Sequence, residues 1–328
     1  IIVDGESYVF NYGVKSKEPN SAVDDETLFE VGSISKTMTG TLATYAQAKG
    51  RLSLKDPVSK FIPELKKSDF AEVTLINLGT HTSGELPLQV PDEVKSVDSL
   101  FEHYKTWKSK YEVGTQRTYS NVGIGLLGFI AAKSLGGDFE NLMKEHIFSK
   151  VGMQNTFLSV PVSQMKNYAQ GYTDKDVPKR MSLGVFYKEA YGVRSTASDI
   201  LRFLKANMQH IELESDLAKA FTETHQPYFQ VEPMTQDFVW EQFPYPVSLS
   251  ALLTGNSKNA ASAASVKMDS SKAPVTDVWI NKTGSTSGFA AYVAFIPSKK
   301  TGIVLLANKV YPMAARVTAA HEILKSIQ

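Results

Sequence analysis

The chain has 328 residues, 42% of them hydrophobic and 21% charged, enough for one large domain or two interleaved lobes around a sizeable core. Its 35 basic and 34 acidic residues leave a net charge of +1, with no basic excess to suggest nucleic acid or an anionic membrane as partner. There is no cysteine, which excludes disulfides, thiolate metal sites and a cysteine nucleophile.

From the N-terminus, "IIVDGESYVFNYGV" begins inside an apolar strand and turns at Asp4-Gly5 into a second one. A start in mid-strand predicts that the natural N-terminus, with any export signal, lies upstream of this chain. Residues 33 to 49 suit a helix ending at Gly50. Long polar loops surround "SGELPLQVPDEV" and "YAQGYTDKDVPKRMSLGVFYKEAYGV", while "SNVGIGLLGFIAAKSLG" reads as a buried helix and "SDILRFLKANMQ" as an amphipathic one. "KNAASAASVKMDSSKAP" is biased toward Ala, Ser and Lys and reads as a mobile surface segment.

Val278 to Lys309 reads as three strands, with turns near Thr286-Ser287-Gly288 and Pro297-Ser298-Lys299. The chain closes on a helix with Val317, Ala320, Ile323, Leu324 and Ile327 on one stripe. No apolar run approaches the length needed to span a bilayer. The pattern predicts an α/β (α+β) fold in which an antiparallel sheet flanked by helices is built from both chain ends. Residues 1–50 and 190–328 would form this lobe and 51–189 an inserted, mainly helical one, with the site in the crevice between them.

Three short motifs carry the chemistry. In "FEVGSISKTMTG", a helix starting near Ser33 would put Ser33 and Lys36 one turn apart on the same face, whereas the adjacent Ser35 and Lys36 diverge by about 100°. Geometry selects Ser33 as nucleophile. The helix N-terminus favours negative charge on a reacting oxygen and disfavours a lysine cation. Taken alone, Ser33 is better explained as a helix N-cap than as a nucleophile, and Ser163-Gln164-Met165-Lys166 matches the same spacing.

In "RTYSNVGIGLLG", Tyr119 could relay protons near two lysines, and Asn121 could bind a carbonyl; the plain alternative is a packed tyrosine under an Asn cap. In "WINKTGSTSGF", Lys282 and Thr283 on a strand edging a cleft could bind a carboxylate, with Gly284 permitting close backbone approach. Lys300-Thr301-Gly302 repeats that tripeptide at a connecting turn and is given no role. Together, Ser-x-x-Lys, Tyr-x-Asn and Lys-Thr-Gly in this order describe a serine acylase in which Ser–Lys replaces Ser–His–Asp.

The sequence resembles the class C, AmpC-type serine β-lactamases. The likeness runs from "LFEVGSISKTMTG" through "LPLQVPDEV", "YSNVGIGLLG", "EAYGV" and "NKTGSTSGF" to "VAFIPSKKTGIVLLANKVYP". "LPLQVPDEV" and "EAYGV" separate this family from others that share only the three short motifs. A class A enzyme would carry Ser-Asp-Asn and a Glu-x-x-Leu-Asn segment, both absent here.

The resemblance implies the serine β-lactamase/transpeptidase-like fold and hydrolysis of β-lactam antibiotics, cephalosporins above all, through an acyl-serine. By similarity, Ser33 attacks the lactam carbonyl, Lys36 and Tyr119 share the proton work, and Lys282 depresses the tyrosine's pKa. The backbone N–H groups of Ser33 and Ser285 would form the oxyanion hole. Gln89 and Asn121 would bind the acyl side-chain amide beside Tyr191, and Thr283, Lys282 and Arg316 would meet the ring carboxylate.

The resemblance further implies a monomer in a Gram-negative periplasm, with a small-molecule β-lactam as partner and no cofactor, nucleic acid or membrane. The six histidines show no His-Glu-x-x-His spacing, so no metal site is expected, and no phosphate loop or dinucleotide fingerprint occurs. Departures from the family pattern are Glu85 where glycine is common, Asn281 for histidine, "GFAAY", Met313, and Phe186, Tyr187 and Lys188 in the acyl-pocket loop. The competing readings are a D-alanyl-D-alanine peptidase or esterase, a penicillin-binding receptor that acylates without turnover, and a plain structural protein.

Overall fold

The structure, a computed structural model, describes residues 1–271 and 273–327. Its centre is a nine-stranded antiparallel sheet assembled from both ends of the chain. Across the sheet, Val266–Lys267, Pro227–Val231, Met234–Asp237, Glu241–Pro244, Val278–Ser285, Ala290–Ile296, Thr301–Ala307, Ile2–Val3 and Glu6–Ser7 lie side by side. The three strands expected between Val278 and Lys309 form the middle, because runs such as "AAYVAFI" are buried on both faces. The opening hairpin turns at Asp4 and Gly5, both at positive φ, and sets Ile2 opposite Gly302.

Helices cover the sheet. The closing helix, Met313–Ser326, buries Val317, Ala320 and Leu324, but Ile323 turns outward and is 37% exposed. The helix Ser35–Ala48 packs between the helices Asn121–Leu135 and Ser215–Glu223. All nine strands lie outside residues 51–189. That stretch holds helices and loops plus the short strands Gln116–Thr118 and Thr156–Phe157.

Two expectations are corrected. The strands Pro227–Val231, Met234–Asp237 and Glu241–Pro244 were not foreseen. Prolines flank and interrupt this region, and Gln236, Glu241 and Gln242 are buried where apolar residues would have marked a strand. The Ala/Ser-biased segment is not a free surface loop in its described part. Ser262–Ala264 pairs with Gln116–Thr118, and Val266–Lys267 adds an edge strand to the sheet.

Candidate active site

A cleft of about 840 Å³ opens beside the Lys282–Ser285 end of the strand Val278–Ser285, beyond its pairing with Glu241–Pro244. Its walls include Ser33, Glu85, Leu88, Tyr119, Glu241, Lys282, Thr283, Ser285 and Met313. Ser33 stands in a single 3₁₀ turn, Gly32–Ile34, and the α-helix proper begins at Ser35, two residues later than expected. Ser35 is 1% exposed and its Oγ accepts the Val193 amide at 3.0 Å, so it is a structural tie. Ser33 alone of the pair faces the cleft.

Two glycines let the turn and the strand touch. Gly32 has φ +54°, and a Cβ there would lie 2.5 Å from the Ser285 nitrogen. A Cβ on Gly284 would lie 2.0 Å from the Val31 carbonyl oxygen. The backbone amides of Ser33 and Ser285 are thereby brought to one end of the cleft, where a carbonyl oxygen that gains charge can be met.

Lys36 is fully buried. Its Nζ lies 3.0 Å from Ser33 Oγ and donates to the Ala190 carbonyl at 2.7 Å. Burial, helped by Lys282 and opposed by Tyr119 and Glu241, pulls its pKa down to about 8. A neutral amine beside a serine hydroxyl is a competent proton acceptor.

Tyr119 lies between the strand Gln116–Thr118 and the helix Asn121–Leu135. Ser120, rather than Asn121, is the N-cap: its Oγ accepts the Gly123 amide and donates to the Pro87 carbonyl. The Tyr119 amide donates to the Ala261 carbonyl at 2.8 Å, so the Ala/Ser-biased segment helps hold the tyrosine. Lys36 Nζ and Lys282 Nζ lie 5.2 and 5.0 Å from the ring centre. Burial pushes the phenol pKa up, but Lys282 and Lys36 outweigh it and hold the group below its ordinary value. The hydroxyl feels Ser33 nearby, yet closes no hydrogen bond of good geometry among the described residues.

Lys282 is buried, with Nζ 3.1 Å from Glu241 Oε1; the same oxygen accepts Arg117 Nη2 at 3.0 Å. Burial alone would lower the lysine, but Glu241 and Tyr119 raise it above the usual value, so it stays a cation. Arg117 is further fixed by the Gln236 side chain and the Ala260 carbonyl, both at 2.6 Å. Glu241 and Arg117 were missed from the sequence. Arg117 stands two residues before Tyr119, with its guanidinium 5.5 Å from the ring centre, and that spacing was a usable signal; nothing local marks Glu241.

Of the remaining expected residues, Thr283 and Ser285 line the cleft, whereas Gln89, Asn121, Tyr191 and Arg316 do not. Gln89 is exposed on a loop whose Leu88 carbonyl accepts the Asn121 amide. Asn121 is buried with Oδ1 free of protein partners among the described residues. Tyr191 is half-buried, its hydroxyl 3.4 Å from the Ser182 carbonyl.

Arg316 differs most from expectation. It is 3% exposed, and its Nη atoms donate to the Gly284 and Ala291 carbonyls and to Ser285 Oγ. In this arrangement the guanidinium braces the strand that carries Ser285. The decoys lie elsewhere: Ser163 and Lys166 sit in the exposed turn Val162–Asn167, and Lys300 has φ +50° at the turn after Ile296.

The departures also have a place. Glu85 has φ +82°, a conformation that suits glycine, and its carboxylate pairs with Lys110 at 3.1 Å on the cleft wall. Asn281 is fully buried, donating to the Glu241 carbonyl and accepting from Tyr292 and Asn256. Phe186, at φ +63°, packs its ring against Gly125. Among the described residues no group of histidines and acids is arranged to hold a metal ion.

Comparison with known proteins agrees with this geometry. The family profile described as Beta-lactamase matches residues 1–327. A β-lactamase from Pseudomonas fluorescens is 46% identical over 329 residues, covering 100% of this chain and 92% of the relative. One from Lysobacter lactamgenus is 48% identical over 326 residues, covering 99% and 85%. Among solved structures, a class C β-lactamase in complex with cefoxitin superposes with a TM-score of 0.96 at 48% identity, covering 99% of this chain and 91% of that one. A β-lactamase/D-alanine carboxypeptidase from Pseudomonas syringae gives 0.97 at 43% identity, covering 99% and 92%. With the Ser–Lys–Tyr arrangement in place and these likenesses running the whole length, the chain belongs to the β-lactamase family, in its class C branch.

Proposed function

We propose that this protein hydrolyses β-lactams through an acyl-enzyme on Ser33. The observation that carries the reading is the buried Lys36 amine, 3.0 Å from Ser33 Oγ and poised near neutrality. Ser33 Oγ bonds to the lactam carbonyl carbon while its proton enters the Lys36–Tyr119 pair. The backbone amides of Ser33 and Ser285 receive the oxyanion, the C–N bond breaks, and the pair returns the proton to the lactam nitrogen. Water then adds to the ester, releasing the ring-opened acid and restoring the serine hydroxyl.

In this reading Lys282 holds Tyr119 toward its ionised form and, with Thr283, receives the ring carboxylate. Arg316 contributes by fixing Ser285. Gln89, Asn121 and Tyr191 would contact the acyl side chain, and the free Asn121 Oδ1 supports that role. The division at residues 50/51 and 189/190 would place the cleft between two lobes. No single helix among the described residues is long and apolar enough to cross a membrane. A periplasmic location, a monomeric state and independence of any cofactor belong to this reading through the family likeness alone.

The test is turnover of a chromogenic cephalosporin by the purified protein beside Ser33→Ala. Many turnovers, lost in the variant, are the expected result. A stoichiometric burst that stops would overturn hydrolysis in favour of a receptor or peptidase that acylates without release.

A further inference from the structure

One ring beside the reacting groups has no role so far. His81 is 2% exposed, and its centroid lies 4.3 Å from that of Tyr119, with the planes tilted by 36°. Its Nδ1 accepts the Ser120 amide at 3.2 Å, and its own carbonyl accepts the Thr118 amide at 2.7 Å. A single residue therefore holds the Thr118 amide on one side of Tyr119, the Ser120 amide on the other, and the face of the ring between them.

The backbone of His81 supports this grip. At φ +61° it occupies the left-handed region, where histidine, asparagine and aspartate are tolerated better than most side chains. Because Nδ1 is an acceptor, the proton of the neutral ring lies on Nε2, which has no partner among the described residues. Burial, then the cations of Arg117, Lys36 and Lys282 facing the ring, keep it neutral, its pKa well below the ordinary value. Glu241, bonded to two of those three cations, is the carboxylate of the same cluster.

We propose that His81 is a positioning residue for the acylation step: a neutral imidazole that clamps the Thr118–Ser120 backbone and fixes the Tyr119 ring between Lys36 and Lys282. The inference rests on the Ser33 acyl-enzyme reading for its kinetic consequence, though not for its structural one. Tyr119 needs such a clamp because, among the described residues, its hydroxyl closes no hydrogen bond of good geometry that would set its direction. If the ring drifts from the two ammonium groups, its proton affinity rises and the Lys36–Tyr119 pair accepts the serine proton less readily.

Three variants separate the parts of the clamp. His81→Asn keeps an acceptor the same number of bonds from Cα and tolerates the backbone, but lacks the ring. His81→Phe keeps the ring and loses the acceptor, and His81→Ala loses both. Two quantities are read: the pH profile of kcat and KM on a chromogenic cephalosporin, and the titration of Tyr119 by ¹³Cζ-tyrosine NMR, assigned with Tyr119→Phe.

The expected result for His81→Ala is a fall in kcat/KM of roughly tenfold to a hundredfold, carried by kcat. The acid limb and the Tyr119 titration should both move to higher pH, with Asn and Phe each recovering part of the loss. A wild-type profile and Tyr119 titration in His81→Ala would overturn the proposal, as would a fall in rate with both titrations unmoved. If His81→Ala does not fold, His81→Asn decides by the same two criteria. If wild-type protein turned over no lactam, the functional reading would fail while the NMR titration still tested the clamp.

Discussion

Replacing Gly32 with alanine tests whether the approach of the nucleophile turn to the central strand sets the oxyanion site. Alanine at φ +54° carries roughly 1–2 kcal/mol of backbone strain. The larger effect is steric. The new Cβ would stand 2.5–2.8 Å from three backbone atoms of Ser285, where ordinary contact needs 3.4 Å or more. Turn and strand must separate by about 1 Å, which carries the Ser285 amide out of line with the Ser33 amide.

Loss of one oxyanion donor typically lowers kcat by about 10²–10³. Gly32→Ala should therefore fold, melt a few degrees lower, and acylate at least a hundredfold more slowly, with KM little changed. Stopped-flow acylation by a chromogenic cephalosporin, beside thermal melting by circular dichroism, reads both. Acylation within tenfold of wild type in a folded variant would refute the assignment of this contact to oxyanion stabilisation.

Other expectations concern buried charge. Lys36 falls from about 10.5 in the unfolded chain to about 8, a penalty of roughly 3 kcal/mol that is complete below pH 8 and lifted as pH climbs toward 10.5. Lys36→Met should then be inactive yet melt higher than wild type at pH 7, with the advantage gone by pH 10. Asp237 is fully buried, and neither carboxyl oxygen has a partner among the described residues; burial, then Glu241, push its pKa well above 3.8. The folded state keeps a proton that the unfolded state releases, so stability falls by about 1.4 kcal/mol per pH unit above pH 4 until the folded pKa is passed. Asp237→Asn should flatten that slope, gaining over wild type at pH 7–8 and converging near pH 4 in urea melts. Glu241→Gln leaves Lys282 and Arg117 without their shared anion and should cost about 3–5 kcal/mol. Because Glu241 raises the Tyr119 pKa, the acid limb of kcat/KM in that variant should move to lower pH even as stability drops.

What the sequence revealed follows from which forces are local. The strands Val278–Ser285, Ala290–Ile296 and Thr301–Ala307 announce themselves because β-branched and aromatic runs alternate with turn residues. Lys36 and Ser33 are legible because helical spacing fixes their relation within one turn. The hairpin Met234–Pro244 is illegible because its buried face is polar: Gln236, Glu241 and Arg117 satisfy one another only after distant segments meet. Arg316 shows a different limit. Its place on the closing helix was readable, but whether its guanidinium faces the cleft or the strand depends on where the Gly284 and Ala291 carbonyls lie. His81 was hidden likewise, since its partners are two backbone amides nearly forty residues away.

The charge pattern of the cleft makes one more consequence unavoidable. Around the reacting groups two lasting cations, Lys282 and Arg117, share the Glu241 carboxylate, and Lys36 adds a third positive charge whenever it is protonated. The Glu85 carboxylate on the cleft wall is taken up by Lys110. The excess lowers the proton affinity of Lys36 and Tyr119 alike, and it falls when an anion enters. A substrate carboxylate held at Thr283 and Lys282 would raise the proton affinity of Lys36 just when Ser33 must give up its proton. A unit charge held about 6 Å away would, at an effective dielectric near 20, be worth roughly 2 pH units. The acid limb of the single-turnover acylation rate at saturating substrate, which reports the complex, should therefore lie above the limb of kcat/KM, which reports the free enzyme. Esterifying the ring carboxylate should close the gap between the limbs. Equal limbs for the carboxylate substrate, or a gap that survives in the ester, would mean that substrate charge does not reach Lys36.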